Sequence, residues 1–190
     1  MKKYTIIGGV NGTGKSSFTG VMKSSVTDLG VIVDVDKLTV LARGRPLEGG
    51  RIALQKINDC LDKGICFTQE TTLSGGFVPK TAKKAQDLGY YVRLYYIGLD
   101  SVEESLQRIA NRVKRGGHDI PMEDVKRRFE ERWEALTAVL PYCDEAVFYD
   151  NDNGFQEVAA YRNGELLLIG EHRPKWVLEL QGYLAKEGAL

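Results

Sequence analysis

The chain is short of the residues that staple, anchor or charge a protein. It has three cysteines in 190 residues, Cys60, Cys66 and Cys143. They lack the spacing of a zinc site or a disulfide framework, so reduced thiols in a cytoplasmic setting are expected. Charge of either sign is not in excess, because 26 Lys+Arg balance 26 Asp+Glu. No global field therefore draws the molecule to nucleic acid or to a membrane surface, and any attraction for anions must be local. Long apolar runs are missing as well, and nothing approaches transmembrane length. The basic start, Met1-Lys2-Lys3-Tyr4, is followed too soon by Gly8 and Gly9 to leave a signal peptide its apolar centre. Repeats, low-complexity tracts and linkers are also lacking, so residues 1–190 are expected to form a single domain with a sizeable core. The expected partner is a small-molecule substrate, with no nucleic acid and no membrane.

What is present begins at residue 9. Gly9-Val10-Asn11-Gly12-Thr13-Gly14-Lys15-Ser16 satisfies every fixed position of the phosphate-loop pattern G-x-x-x-x-G-K-[ST]. A β-like run, residues 4–7, enters it, and a helix-compatible stretch, residues 16–23, leaves it. Glycines let successive backbone N–H groups turn inward, and the helix N-terminus adds partial positive charge. Asn11, Gly12, Thr13, Gly14, Lys15, Ser16 and Ser17 are thus expected to cradle the phosphates of ATP. Lys15 would reach the β- and γ-phosphates, and the Ser16 hydroxyl would ligate Mg²⁺. By chance such a match arises in a chain of this length on the order of once in a hundred.

Strand-like runs fall at residues 4–8, 31–35, 65–69, 90–97 and 145–149. Helix-like runs fall at 15–25, 49–63, 77–88, 101–114 and 122–140. Short apolar strands alternating with helices call for an α/β fold. The expectation is a three-layer αβα P-loop kinase fold on a mostly parallel five-stranded sheet. A β-hairpin around Asn163-Gly164 and a last helix opened by Pro174 follow, over about 152–187. Ligands of such sheets sit beyond the carboxyl ends of the strands. The phosphate loop, Asp34-Val35-Asp36 and Glu70-Thr71-Thr72 share that rim.

Phosphoryl transfer needs Mg²⁺, positive charge over the γ-phosphate and a group that orients the acceptor. Asp36 is expected as the base that takes the acceptor's proton, with Asp34 as a contact to Mg²⁺ or its water. The plain alternative for Asp36 is to cap a helix that starts near Lys37. Glu70 could accept from acceptor hydroxyls or from an Mg²⁺ water, while Thr71, Thr72 and Ser74 offer neutral hydrogen bonds or merely shape a turn.

Arg108, Arg112 and Arg115 are spaced four and three apart, on one helical face. With Gly116-Gly117 and a second basic stretch carrying Arg128 and Arg132, they suggest a lid over about 108–132 that hinges at the glycines. Arg112 and Arg115 would then reach the transferring phosphoryl group, and Arg132 would lie in solvent. The bland alternative is a charged surface paired with Glu103, Glu104, Glu130 and Glu131. His118 reads as a turn residue or a catalytic one. A non-kinase alternative is a regulatory ATPase or nucleotide-binding switch. No apolar strand here ends in the paired acidic motif that would orient a hydrolytic water.

The ordered set of phosphate loop, Asp36, the segment ETTLSG (70–75) and the segment GGHDIP (116–121) resembles the zeta-toxin-like P-loop kinases. The likeness is to their small stand-alone branch, over residues 3–150. The resemblance implies an acceptor like the sugar 3′-hydroxyl of UDP-N-acetylglucosamine, with Asp36 as base and Glu70 and Thr72 on the acceptor. It also implies that Arg112 is one phosphate-binding arginine and that another falls at 115–118, where this glycine-rich lid departs from the toxins. An antitoxin-like protein partner comes with the same resemblance.

Overall fold

The computed structural model describes residues 1–42 and 45–186. Five parallel strands, β1 (Lys3–Gly8), β2 (Val31–Asp34), β3 (Phe67–Thr71), β4 (Tyr91–Ile97) and β5 (Glu145–Asp150), run in the order β2-β3-β1-β4-β5. This is the expected α/β sheet, and it does not end there. The hairpin β6 (Gln156–Arg162) and β7 (Glu165–Leu168) adds antiparallel to β5, giving one seven-stranded sheet. Asn163 and Gly164, at φ of 54° and 88°, form the tight turn that matches strand twist. Pairing with β6 covers what would be an open edge on β5.

Alternation within the strands sorts residues to the two faces. Tyr4, Ile6, Phe67, Leu94, Tyr96 and Phe148 build the main core. It is covered by α3 (Pro46–Lys63), α4 (Phe77–Asp87), α7 (Arg132–Thr137) and α8 (Lys175–Lys186). On the other face Ile7, Tyr95, Ile97 and Val147 pack on Phe18 of α1 (Lys15–Ser25). Trp176 of α8 is fully buried, and its ring lies where a side chain on Gly98, just past β4, would clash at 2.1 Å. Its indole N–H donates to Asp150 at 2.9 Å. This anchors the last helix to the end of β5.

Two elements differ from expectation. The single helix expected over 122–140 is broken into α6 (Met122–Glu130), α7 and a 3₁₀ turn at Leu140–Tyr142. The break at Glu131 lets Phe129 pack on Val10 and Leu99 while Trp133 and Leu136 join the main core, two directions that one straight helix cannot serve. The third strand starts two residues later than expected, so Glu70 lies inside β3, in register with Ile7 and Asp34. A short helix, α2 (Val35–Leu41), follows β2 directly.

Candidate active site

The loop between β1 and α1 is bent by glycines where no side chain fits. A Cβ at Gly9, φ 145°, would stand 2.4 Å from the Ile97 carbonyl oxygen, and one at Gly14, φ 94°, would stand 2.5 Å from Asn151 Nδ2. Side chains from later elements hold the loop from outside. Asn151 Nδ2 donates to the Thr13 carbonyl at 2.9 Å. Ser105 Oγ, on α5 (Val102–Lys114), donates to the Asn11 carbonyl at 2.6 Å. Thr13 itself is buried, its hydroxyl turned onto Val10 O at 3.1 Å, so it can meet a ligand through its backbone only.

Lys15 fills its own loop. Its Nζ donates to Gly9 O at 2.8 Å and to Val10 O at 3.0 Å. Burial pulls the ammonium down from its ordinary value to about 8, against the opposing pull of Asp36, Glu70 and Asp34. Ser16 Oγ donates to Glu70 Oε2 at 2.7 Å. The other carboxylate oxygen, Glu70 Oε1, is buried without a partner. A buried carboxylate oxygen left unpaired is costly, which marks the place where a donor or a cation belongs.

These groups line a cleft of about 520 Å³. Its floor carries Lys15, Ser16 and Glu70; one wall carries Asp36, Thr72 and Phe77, and the other Arg108, Arg112 and Arg128. The geometry decides between readings that sequence left open. Asp34 caps α2, accepting from Lys37 N at 3.1 Å on one oxygen and pairing with Lys37 Nζ at 3.0 Å on the other. Asp36, two residues on, is exposed and has no hydrogen bond or ion pair among the described residues. The capping role weighed for Asp36 thus belongs to Asp34, and Asp36 is left available to a ligand. Asp34, expected near the metal, remains in the cleft wall with both oxygens engaged.

Beyond β3, Leu73 takes a φ of 64°, rare for a non-glycine residue, with its side chain buried against Gly8. Its N–H donates to Thr71 Oγ1 at 2.9 Å. That kink leaves Thr72 and Ser74 on the cleft, joined at 3.3 Å.

The arginines separate. Arg112 lines the cleft and donates to the His118 carbonyl at 2.7 Å, so His118 serves the turn through its backbone. Arg115 lies off the cleft, on a neighbouring surface hollow with Asn111 and Gly117. Arg128, which sequence left among undifferentiated charges, reaches Asn11 Oδ1 at 3.2 Å, and its Nε is buried without a partner. Arg108 bonds Asn151 O at 3.2 Å and Asp152 at 3.1 Å and pairs with Glu104. Arg132 is not solvated: it pairs with Glu179 at 2.8 Å, donates to Phe129 O and stacks on Phe129 and Trp133. The glycine pair 116–117 is a helix stop, with Gly117 N bonded to Arg112 O at 3.0 Å. Ile120 ties the following turn to Ile109 and Val125. The α5–α6 hairpin is therefore a packed unit.

Mg²⁺ takes hard oxygen ligands and leaves positions for phosphate. The Ser16 hydroxyl and the unpaired Glu70 oxygen suit that chemistry. Among the described residues no three His, Cys, Asp or Glu side chains could hold a metal by themselves. No helix among them is long and apolar enough to cross a membrane.

No protein-family model matches the chain. An uncharacterized protein of Haemophilus influenzae is 35% identical over 126 residues, spanning 64% of this chain and 88% of that protein. Among solved structures, one from the PezAT chromosomal toxin–antitoxin system of Streptococcus pneumoniae superposes with a TM-score of 0.66 at 18% identity, covering 98% of this chain and 87% of the other. An AvrRxo1-ORF1:-ORF2 structure with ATP superposes with a TM-score of 0.64 at 15% identity, over 98% and 76%. At such identities the likeness establishes the fold. The chain belongs to one family with the Haemophilus influenzae protein, and it shares the fold of these two solved structures.

Proposed function

We propose that the protein transfers the γ-phosphoryl group of ATP to a hydroxyl of a small molecule. The observation that carries this reading is the unpaired Asp36 carboxylate on the same cleft as the phosphate loop and its Lys15. Backbone N–H groups of residues 11–17 and the Lys15 ammonium hold the polyphosphate, for which Lys15 leaves Gly9 O and Val10 O. Asp36 takes the proton of the acceptor hydroxyl. The acceptor oxygen then bonds to the γ-phosphorus as the bond to the β–γ bridging oxygen breaks, and ADP leaves. Mg²⁺, when bound, supplies neutralising charge to the phosphate oxygens, with Ser16 and Glu70 as the residues that would hold it. Arg112 and Arg128, from the two helices of a lid over about 108–132, supply charge on the opposite side.

The resemblance adds a nucleotide sugar such as UDP-N-acetylglucosamine as one acceptor class. Sugar acids, nucleosides and antibiotics are others. The fold shared with a structure from a toxin–antitoxin system supports an antitoxin-like protein partner. The test of the activity is ADP formation from ATP with and without such acceptors. Acceptor-stimulated ADP formation that Lys15→Ala abolishes supports transfer. ATP consumption that no acceptor changes favours a regulatory ATPase.

A further inference from the structure

The two halves of the cleft carry opposite charge. Its lining cations, Lys15, Arg108, Arg112 and Arg128, all sit on the phosphate loop, α5 and α6. The facing wall, from α2, α3, α4 and the turn after β3, presents Asp36 and, among the described residues, no lysine or arginine, while Glu70 lies on the floor beside Lys15. Nearby cations are committed elsewhere: Lys37 to Asp34 at 3.0 Å and Arg45 to Glu48 at 2.8 Å. Glu70 is 4% exposed, with one carboxylate oxygen on Ser16 and the other unpartnered.

The same wall is apolar beyond its carboxylates. Ala53 and Leu54 face the cleft from α3, and Phe77 and Val78 from α4. Leu54 and Phe77 remain 39% and 38% exposed, large side chains with surface left to cover. An apolar body laid against them gains burial. A phosphate or carboxylate brought to the same place meets the exposed Asp36 carboxylate, with the cleft's arginines on the opposite wall, so it pays desolvation and repulsion together.

We propose that the acceptor is a hydroxyl compound without negative charge, neutral or amine-bearing, with one apolar face against Leu54 and Phe77. One of its O–H or N–H groups meets the unpaired Asp36 carboxylate. This rests on the kinase reading and narrows it. It also turns away from a nucleotide sugar, whose diphosphate finds its cations only where the phosphates of ATP belong.

The experiment uses three probes that share one phenol ring and differ in charge: tyramine (ammonium), tyrosol (neutral) and 4-hydroxyphenylacetate (carboxylate). Binding to the full chain is measured by ligand-observed NMR, with and without a non-hydrolysable ATP analogue. Tyramine and tyrosol are expected to bind about tenfold or more tightly than the carboxylate, because like charges at close range inside a cleft cost more than 1 kcal/mol. Asp36→Asn should narrow the gap between ammonium and carboxylate. Phe77→Ala should weaken tyramine and tyrosol alike, with the fold checked by circular dichroism. Carboxylate binding equal to or tighter than the others, no binding of any probe, or faster turnover of UDP-N-acetylglucosamine than of neutral acceptors would overturn the proposal. Probe order is read without phosphoryl transfer. If the ATP analogue fails to bind while the order holds, it is the kinase reading that fails.

Discussion

Ser16 and Glu70 are joined by a 2.7 Å hydrogen bond that ties the first turn of α1 to the end of β3. In the proposed reaction the pair would set the oxygen donors for Mg²⁺ beside the phosphate loop. Glu70→Gln keeps the shape and removes the charge, so it should raise the Mg²⁺ concentration needed for half-maximal turnover by about tenfold or more. A Mg²⁺ titration of turnover checks this, and an unchanged midpoint would remove Glu70 from the cation's surroundings.

Lys15 titrates where it can be seen. Its ammonium is lowered to about 8, so the free protein loses that charge as pH rises through about 8. ATP affinity should be level below that pH and fall about tenfold per unit above it, since binding must then take up a proton. For stability the sign is opposite. Between about 8 and the ordinary 10.5 the unfolded chain binds more protons than the folded one, so this group's contribution improves with rising pH in that window. Calorimetric ATP titrations from pH 7 to 9.5 check the first statement, with Lys15→Ala expected to flatten the profile.

Arg128 and Arg115 make a paired comparison. Arg128 reaches the phosphate loop through Asn11, whereas Arg115 lies off the cleft. Arg128→Ala should lower kcat about 10²-fold, and Arg115→Ala should stay within about twofold. Steady-state kinetics of both variants decide whether the second lid cation comes from α6 or from the end of α5.

Arg132→Ala should act on stability. It removes the ion pair to Glu179 and the stacking on Phe129 and Trp133. The cost should be about 2 kcal/mol, a fall in melting temperature on the order of 4–8 °C for a chain of this size. Thermal unfolding measures it. Near-wild-type melting would return Arg132 to the solvated surface.

Much of this was legible because the chemistry is local. The phosphate loop is written in eight consecutive residues, and the alternation of strands and helices alone puts Asp36 and Glu70 on its rim. What the sequence hid depends on long-range packing. Arg128 reads like its neighbours Lys126 and Arg127 until Phe129 docks on Val10 and Leu99 and draws α6 over the loop. Arg132 reads as solvent-facing until α8 brings Glu179 beside it. Asn151, on the Thr13 carbonyl, had a signal in the polar run that ends β5 on the same rim. The capping of α2 by Asp34 rather than Asp36 turned on where one strand stopped, and a strand end is set by its partner's register.

Transfer to a small acceptor can be followed by the fate of the labelled γ-phosphoryl group. The protein is incubated with γ-radiolabelled ATP, Mg²⁺ and a protein-free extract of small molecules, and the label is followed by chromatography. Label is expected in a new small molecule with the wild-type chain. The rate should be about 10²–10⁴ lower with Asp36→Asn, which loses the base but should still bind ATP. Label that appears only as inorganic phosphate, at the same rate in both proteins, would contradict transfer to an acceptor.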